Sequence, residues 1–193
     1  MMKLNAHLIA KTRPLADENN VIYGDGYRLT VLSDTLLRVE TQKDGIFTDD
    51  ATQHVWNRDF KAVDFTEETN GKARRIVTAK CTFVFDTRKK RVEAVVFKDG
   101  RTVKANNRGN LGGTCRTLDM RIGKVRLGNG VLSRNGVAVL RDDGLALCDD
   151  GVVRERKAKE TDLYIFAAGK EYEKALDDYF YLTGATPMLP RYV

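Results

Sequence analysis

Apolar and polar residues alternate along most of this chain with a period of two. Successive side chains of a strand point to opposite faces, so the alternation predicts strands with one buried and one wet face. Tyr27, Leu29 and Val31 alternate with Arg28 and Thr30. After the turn residues Ser33 and Asp34, Leu37 and Val39 alternate with Arg38 and Glu40. Cys81, Phe83 and Phe85 share a face, the basic run Arg88-Lys89-Lys90-Arg91 turns the chain, and Val92, Ala94 and Val96 resume the pattern. Lys98-Asp99-Gly100 predicts a tight turn, because Asp and Gly tolerate the positive φ of a hairpin, and Val103 falls in a short return strand. Further strands are predicted over 136–140, 145–148 and 162–167, with Asp142-Asp143-Gly144 as a turn. Short strands with turn signals between them predict a sandwich or barrel.

Two stretches break the pattern. From 106 to 133 the chain is rich in Gly and Asn and has little periodicity. Loops of that length in a compact domain usually serve a function or touch something. Near the end, Tyr172, Leu176, Tyr179 and Phe180 recur at helical spacing and predict one apolar stripe. Gly184 is placed to stop that helix, and Pro187 and Pro190 prevent its resumption. The expected organisation is a sandwich over 1–168, then a helix and linker over 169–193, as in a domain cut from a longer protein.

Composition changes this picture little. A chain of 193 residues suits one large sandwich, and 42% hydrophobic with 31% charged residues is ordinary for a folded domain. The net charge of +6 raises the question of nucleic acid. The Lys and Arg are interspersed with Asp and Glu, however, and the densest basic run sits in a predicted turn, so no nucleic-acid partner is expected. Cys81, Cys115 and Cys148 are widely spaced, which argues against a disulfide framework and against zinc and fits a reducing compartment. No apolar run approaches the ~20 residues that cross a bilayer. The start of the chain lacks a signal-peptide core, so a cytoplasmic location with no membrane partner is expected.

Chemistry-bearing residues are sparse. His7 and His54 are the two histidines, and no Ser or Cys has a local signature that pairs it with either. Asp49-Asp50 reads as a solvated loop pair. The stretch 109–114 lacks the Gly-Lys-Ser/Thr ending and the strand-to-helix setting of a phosphate loop. Glycoside hydrolysis needs two opposed carboxylates, and no Asp or Glu here stands in a nucleophile motif. No catalytic residue, metal or cofactor is expected.

Four stretches, taken in order, resemble glycoside hydrolase family 31, the α-glucosidases, α-xylosidases and their relatives. They are Leu36-Leu37-Arg38-Val39-Glu40 with the loop 44–53 and Val55-Trp56-Asn57-Arg58; residues 110–119; residues 127–139; and 162–169 with the helix, Leu182-Thr183-Gly184 and 187–192. The resemblance implies an all-β, galactose-mutarotase-like β-sandwich with one C-terminal helix, preceding a catalytic (β/α)8 barrel. The family's catalytic aspartates lie on that barrel and match no position here. The implied role is a non-catalytic domain, inactive alone, that docks on its barrel and shapes the pocket for a carbohydrate substrate. Within the Gly-rich stretch, Arg116 and Asp119 are candidates to hydrogen-bond sugar hydroxyls or barrel residues, or else form a turn salt bridge or cap. Trp56 is a candidate to stack on a sugar face, or else a core anchor. Val137 stands where many relatives carry an aromatic. Two other readings stay open: an independent carbohydrate-binding module, and a sugar mutarotase, whose chemistry wants a His and a Glu facing the ring oxygen.

Overall fold

The computed structural model describes residues 9–45, 47, 49–113, 120–156 and 161–184. The fold is an all-β sandwich with one helix at its C-terminal end. Strands β1 (Val21–Gly24), β2 (Tyr27–Ser33) and β3 (Leu36–Thr41) are followed by β4 (Ala51–Thr52), β5 (Thr66–Asn70), β6 (Ala73–Val77), β7 (Cys81–Asp86), β8 (Arg91–Phe97) and β9 (Thr102–Lys104). After the Gly-rich stretch come β10 (Ala138–Arg141), β11 (Ala146–Leu147), β12 (Val153–Arg154), β13 (Asp162–Phe166) and α1 (Tyr172–Thr183). One antiparallel five-stranded sheet has the order β1-β2-β3-β13-β10, and a second has the order β5-β6-β7-β8-β9. A small sheet, β12-β11-β4, completes the set.

The inward faces follow the apolar alternation. Tyr27, Leu29 and Val31 of β2, Leu37 and Val39 of β3 and Ile165 of β13 meet Ile76, Cys81, Phe83, Phe85 and Val95 of the second sheet in one core. Each fully buried Leu, Val or Phe contributes about 1.5–3 kcal/mol relative to exposure. The Arg88–Arg91 turn is organised by Asp86, whose carboxylate accepts from the N–H of Arg88 and of Lys89, both at 2.9 Å. At Lys98-Asp99-Gly100 the backbone turns with Gly100 at φ +85°, as expected.

The structure corrects four expectations. First, the single face assigned to Val92, Ala94 and Val96 breaks. Phe85 pairs with Val92 but Val84 pairs with Ala94, so Glu93 is the extra residue of a bulge. The inward set becomes Val92, Val95 and Phe97. Second, the polar members of β2 and β3 are not wet: Arg28, Arg38 and Glu40 are buried, because α1, the small sheet and the 49–58 loop cover the outer face. Third, the predicted stripe of α1 faces inward only in part: Leu176 and Tyr179 pack against the core, but the fully buried residues are Ala175, Asp178 and Leu182, and Phe180 is exposed. Asp178 accepts hydroxyl hydrogen bonds from Ser33 (2.8 Å) and Thr35 (3.1 Å) at the β2–β3 turn, which draws that helix face inward. Fourth, Asp49 of the Asp49-Asp50 pair is not simply solvated but half-buried and held by a fork from Arg28, while Asp142, at the predicted 142–144 turn, is buried and accepts from the Thr52 hydroxyl. Among the described residues no helix is long and apolar enough to cross a membrane.

Candidate functional site

Strand register builds a charge network on the outer face of the first sheet. Pairing of β2 with β3 sets Arg28 opposite Glu40, and pairing of β13 with β3 sets Asp162 opposite Glu40 and Tyr164 opposite Arg38. Arg28 donates in a fork to Glu40 (2.7 and 2.9 Å) and again to Asp49 (3.1 and 2.6 Å). Arg38 donates in a fork to Asp162 at 2.9 and 2.8 Å and lies 3.0 Å from Glu40. Arg156 reaches Asp162 at 2.7 Å and the Asp142 carbonyl at 2.7 Å. Arg58, 0% exposed, donates to the Tyr164 hydroxyl at 2.8 Å and to the Asp50 carbonyl at 3.1 Å. Its Nη2 has no hydrogen-bond partner among the described residues and lies 3.8 Å from Asp142.

Four guanidiniums thus face four carboxylates, and the buried charge is balanced in number. Forked Arg–carboxylate pairs fix orientation as well as sign. Burial works to raise the Asp162 pKa, but the charge and hydrogen bonds of Arg38, with help from Arg58 and Arg156, hold it below the usual carboxylate range. Burial and then the nearby Asp162 charge push Asp142 the other way, upward. Burial raises the Tyr164 hydroxyl as well, so it stays protonated. Each of these carboxylates is already held by Arg or hydroxyl donors. The network pins the 49–58 loop and Arg156 to the sheet and offers no unengaged acid or base.

The Gly-rich stretch is more ordered than its composition suggests. The Asn107 side chain mimics a strand edge, with Oδ1 accepting from Val139 N–H (2.8 Å) and Nδ2 donating to Val139 C=O (2.9 Å). Asn110 does the same at Gly130, at 3.0 and 2.7 Å. Backbone bridges join Asn110 to Ser133 and Gly113 to Gly128. These ties lay the stretch beside α1 and leave an open apolar groove of about 280 Å³. Leu111, Leu132 and Leu140 form one wall and Leu176, Tyr179 and Phe180 the other. Leu111 is 42% and Phe180 47% exposed, so the groove mouth is apolar and uncovered.

The sequence candidates fall as follows. Trp56 is half-buried at the end of α1: its backbone N–H donates to the Leu182 carbonyl at 2.9 Å, and its ring lies where a side chain at Gly184 would press against it. It clamps the helix terminus. Arg116 and Asp119 lie outside the described residues, as does His7. His54 is half exposed, with Nδ1 3.7 Å from the carboxylates of Asp142 and Asp143, and no Glu is paired with it. Sequence reasoning missed the buried roles of Arg28, Arg38, Arg156 and Asp162. The one available signal was that Arg58 sits within the Trp-Asn-Arg motif.

No family model matches the chain, and no curated protein matches it. Solved structures do resemble it in part. A GH31 α-xylosidase from a soil metagenome, complexed with xylose, is 14% identical, with 89% of this chain and 34% of that chain covered at a TM-score of 0.47. The chain is similar to part of that GH31 enzyme. A Flavobacterium johnsoniae GH31 dextranase complexed with glucose is 14% identical over 90% of this chain and 27% of that chain, at a TM-score of 0.43. A GH31 α-xylosidase from Xanthomonas citri is 19% identical over 46% of this chain and 10% of that chain, at a TM-score of 0.33. The chain thus spans about a third or less of the length of these structures.

Proposed function

We propose that this chain is a non-catalytic β-sandwich domain of an α-glycoside hydrolase that docks on a catalytic (β/α)8 barrel and helps to shape its substrate pocket. The observation that carries the reading is the uncovered apolar groove between α1 and the Gly-rich stretch. Monomeric domains seldom leave Leu, Tyr and Phe together at a groove mouth unless something covers them. The ordered run of four motif stretches supplies the kind of partner. The charge network supplies rigidity, since Arg28–Asp49 and Arg58–Tyr164 tie the 49–58 loop to the first sheet. Arg116 and Asp119, a few residues beyond Gly112 of the groove in sequence, are the residues proposed to hydrogen-bond sugar hydroxyls or barrel residues. Trp56, held against the helix end, serves as a packing anchor in this reading.

The test is co-expression with the barrel encoded alongside it, comparing the native chain with Leu111→Asp and Phe180→Asp. Both side chains are exposed, so the variants should fold with little change in melting temperature. Association with the barrel should weaken at least about tenfold. Undiminished association in both variants contradicts the assignment of this groove.

A further inference from the structure

A second groove, on the opposite edge of the sandwich from β5, carries a different chemistry. It is lined by Arg101, Thr102 and Lys104 of the β9 region and by Arg108 and Arg134, encloses about 590 Å³, and includes no Asp or Glu in its walls. Arg101 pairs with Asp99 at 2.6 Å, whereas Lys104, Arg108 and Arg134 form no ion pair among the described residues. The cations are held in place by the backbone: Arg134 N–H donates to the Gly109 carbonyl at 2.8 Å, and Asn135 Nδ2 donates to the Arg108 carbonyl at 2.8 Å.

The floor of this groove is an open strand edge. β9 ends the second sheet and pairs only with β8. Phe97 N–H donates to Arg101 C=O at 2.9 Å and Ala105 N–H to Glu93 C=O at 3.2 Å, so the odd-numbered residues bond toward β8. Thr102 and Lys104 therefore turn their N–H groups, and Thr102 its C=O, away from the sheet. Lysine on an edge strand is a common guard against self-pairing. Here, though, Arg108 and Arg134 come from two other segments and converge on the same edge.

We propose that this edge takes an acidic extended peptide, added as a sixth strand to the second sheet with its carboxylates against Arg108, Arg134 and Lys104. The two requirements of strand addition meet in one place: the N–H groups of Thr102 and Lys104 and the Thr102 C=O, without partners among the described residues, and side-chain specificity beside them. A nucleic acid would satisfy the charge but not the ladder, and the groove walls carry no aromatic ring on which a base would stack.

The experiment titrates the chain with a labelled alternating Glu-Val peptide of about eight residues, a typical strand length or slightly more. Parallel titrations use the same peptide N-methylated at alternate residues, an oligonucleotide of equal charge, and the exposed double variant Arg108→Ser/Arg134→Ser. The expected result is saturable binding, with amide shifts at Thr102 and Lys104. The N-methylated peptide and the double variant should each show binding at least about tenfold weaker. No saturable binding overturns the proposal. Equal binding of the N-methylated peptide or of the oligonucleotide also overturns it, because the groove would then be an electrostatic surface without a ladder.

Discussion

Asp162 gathers two guanidiniums, Arg38 and Arg156, in a setting closed to water. Asp162→Asn removes the countercharge of both, and stranding buried charge in this way costs on the order of 3–5 kcal/mol. The loss should appear as a lower urea midpoint with an unchanged slope. Asp142→Asn should cost far less, about 1 kcal/mol or under. Burial already disfavours that carboxylate, and an amide oxygen can still accept from the Thr52 hydroxyl and the Gly144 N–H. The pH dependence follows with opposite signs. For Asp162 and Asp49, burial is outweighed by Arg partners and the folded pKa is lowered. Their contribution is complete above the unfolded value of about 4 and is lost as pH falls through the lower folded values. Asp142, with its raised pKa, works against folding increasingly as pH rises through the unfolded value of about 4, and in full above its higher folded value. Acid unfolding curves should therefore be shallower for Asp162→Asn than for the native chain. Cys81 gives a separate check. Burial, only partly offset by a hydrogen bond from Thr78, pushes its thiol up to about 12. Iodoacetamide at neutral pH should leave Cys81 unmodified in the native chain and label it after denaturation, read by peptide mass mapping.

At the scale of elements, the inward faces of β2, β3 and β7 were legible, because apolar side chains two residues apart have one stable place to go. The outer face of β2 and β3 was not. Arg28, Arg38 and Glu40 look the same in sequence whether solvated or paired across strands, and their pairing depends on the register of β3 against β13, which lies more than a hundred residues downstream. Strand β5 carried no apolar signal at all, since every residue from Thr66 to Asn70 is exposed and the strand is held by its ladder to β6. The β8 bulge defeated simple alternation because a single extra residue, Glu93, reverses which face is buried. Of the site candidates, Trp56 drew notice as an aromatic, but its place against Gly184 depends on where the chain returns after α1. Glycine shows its role more plainly in the structure. A side chain at Gly136 would begin 2.6 Å from the Gly169 backbone, and Gly136 sits at φ +85°, so Gly136→Ala should cost on the order of 1–3 kcal/mol, measured by denaturant titration.

For the whole molecule, the layers divide the work. The two five-stranded sheets bury the main core, the charge network fixes the loops over one outer face, and α1 with the Gly-rich stretch presents the apolar groove. Such a body has the properties of a support: an interior cross-linked by forked Arg–carboxylate pairs and an apolar strip left exposed beside α1. In the proposed function, turnover belongs to a barrel on which this body docks. The most direct test is cleavage of an aryl α-xyloside and an aryl α-glucoside, followed with the 193-residue chain alone, the barrel alone and the two combined. No cleavage by the chain alone, and more from the pair than from the barrel by itself, is the predicted result. Saturable cleavage by the 193-residue chain with no barrel present, or a barrel whose rate is unmoved by the chain, contradicts it.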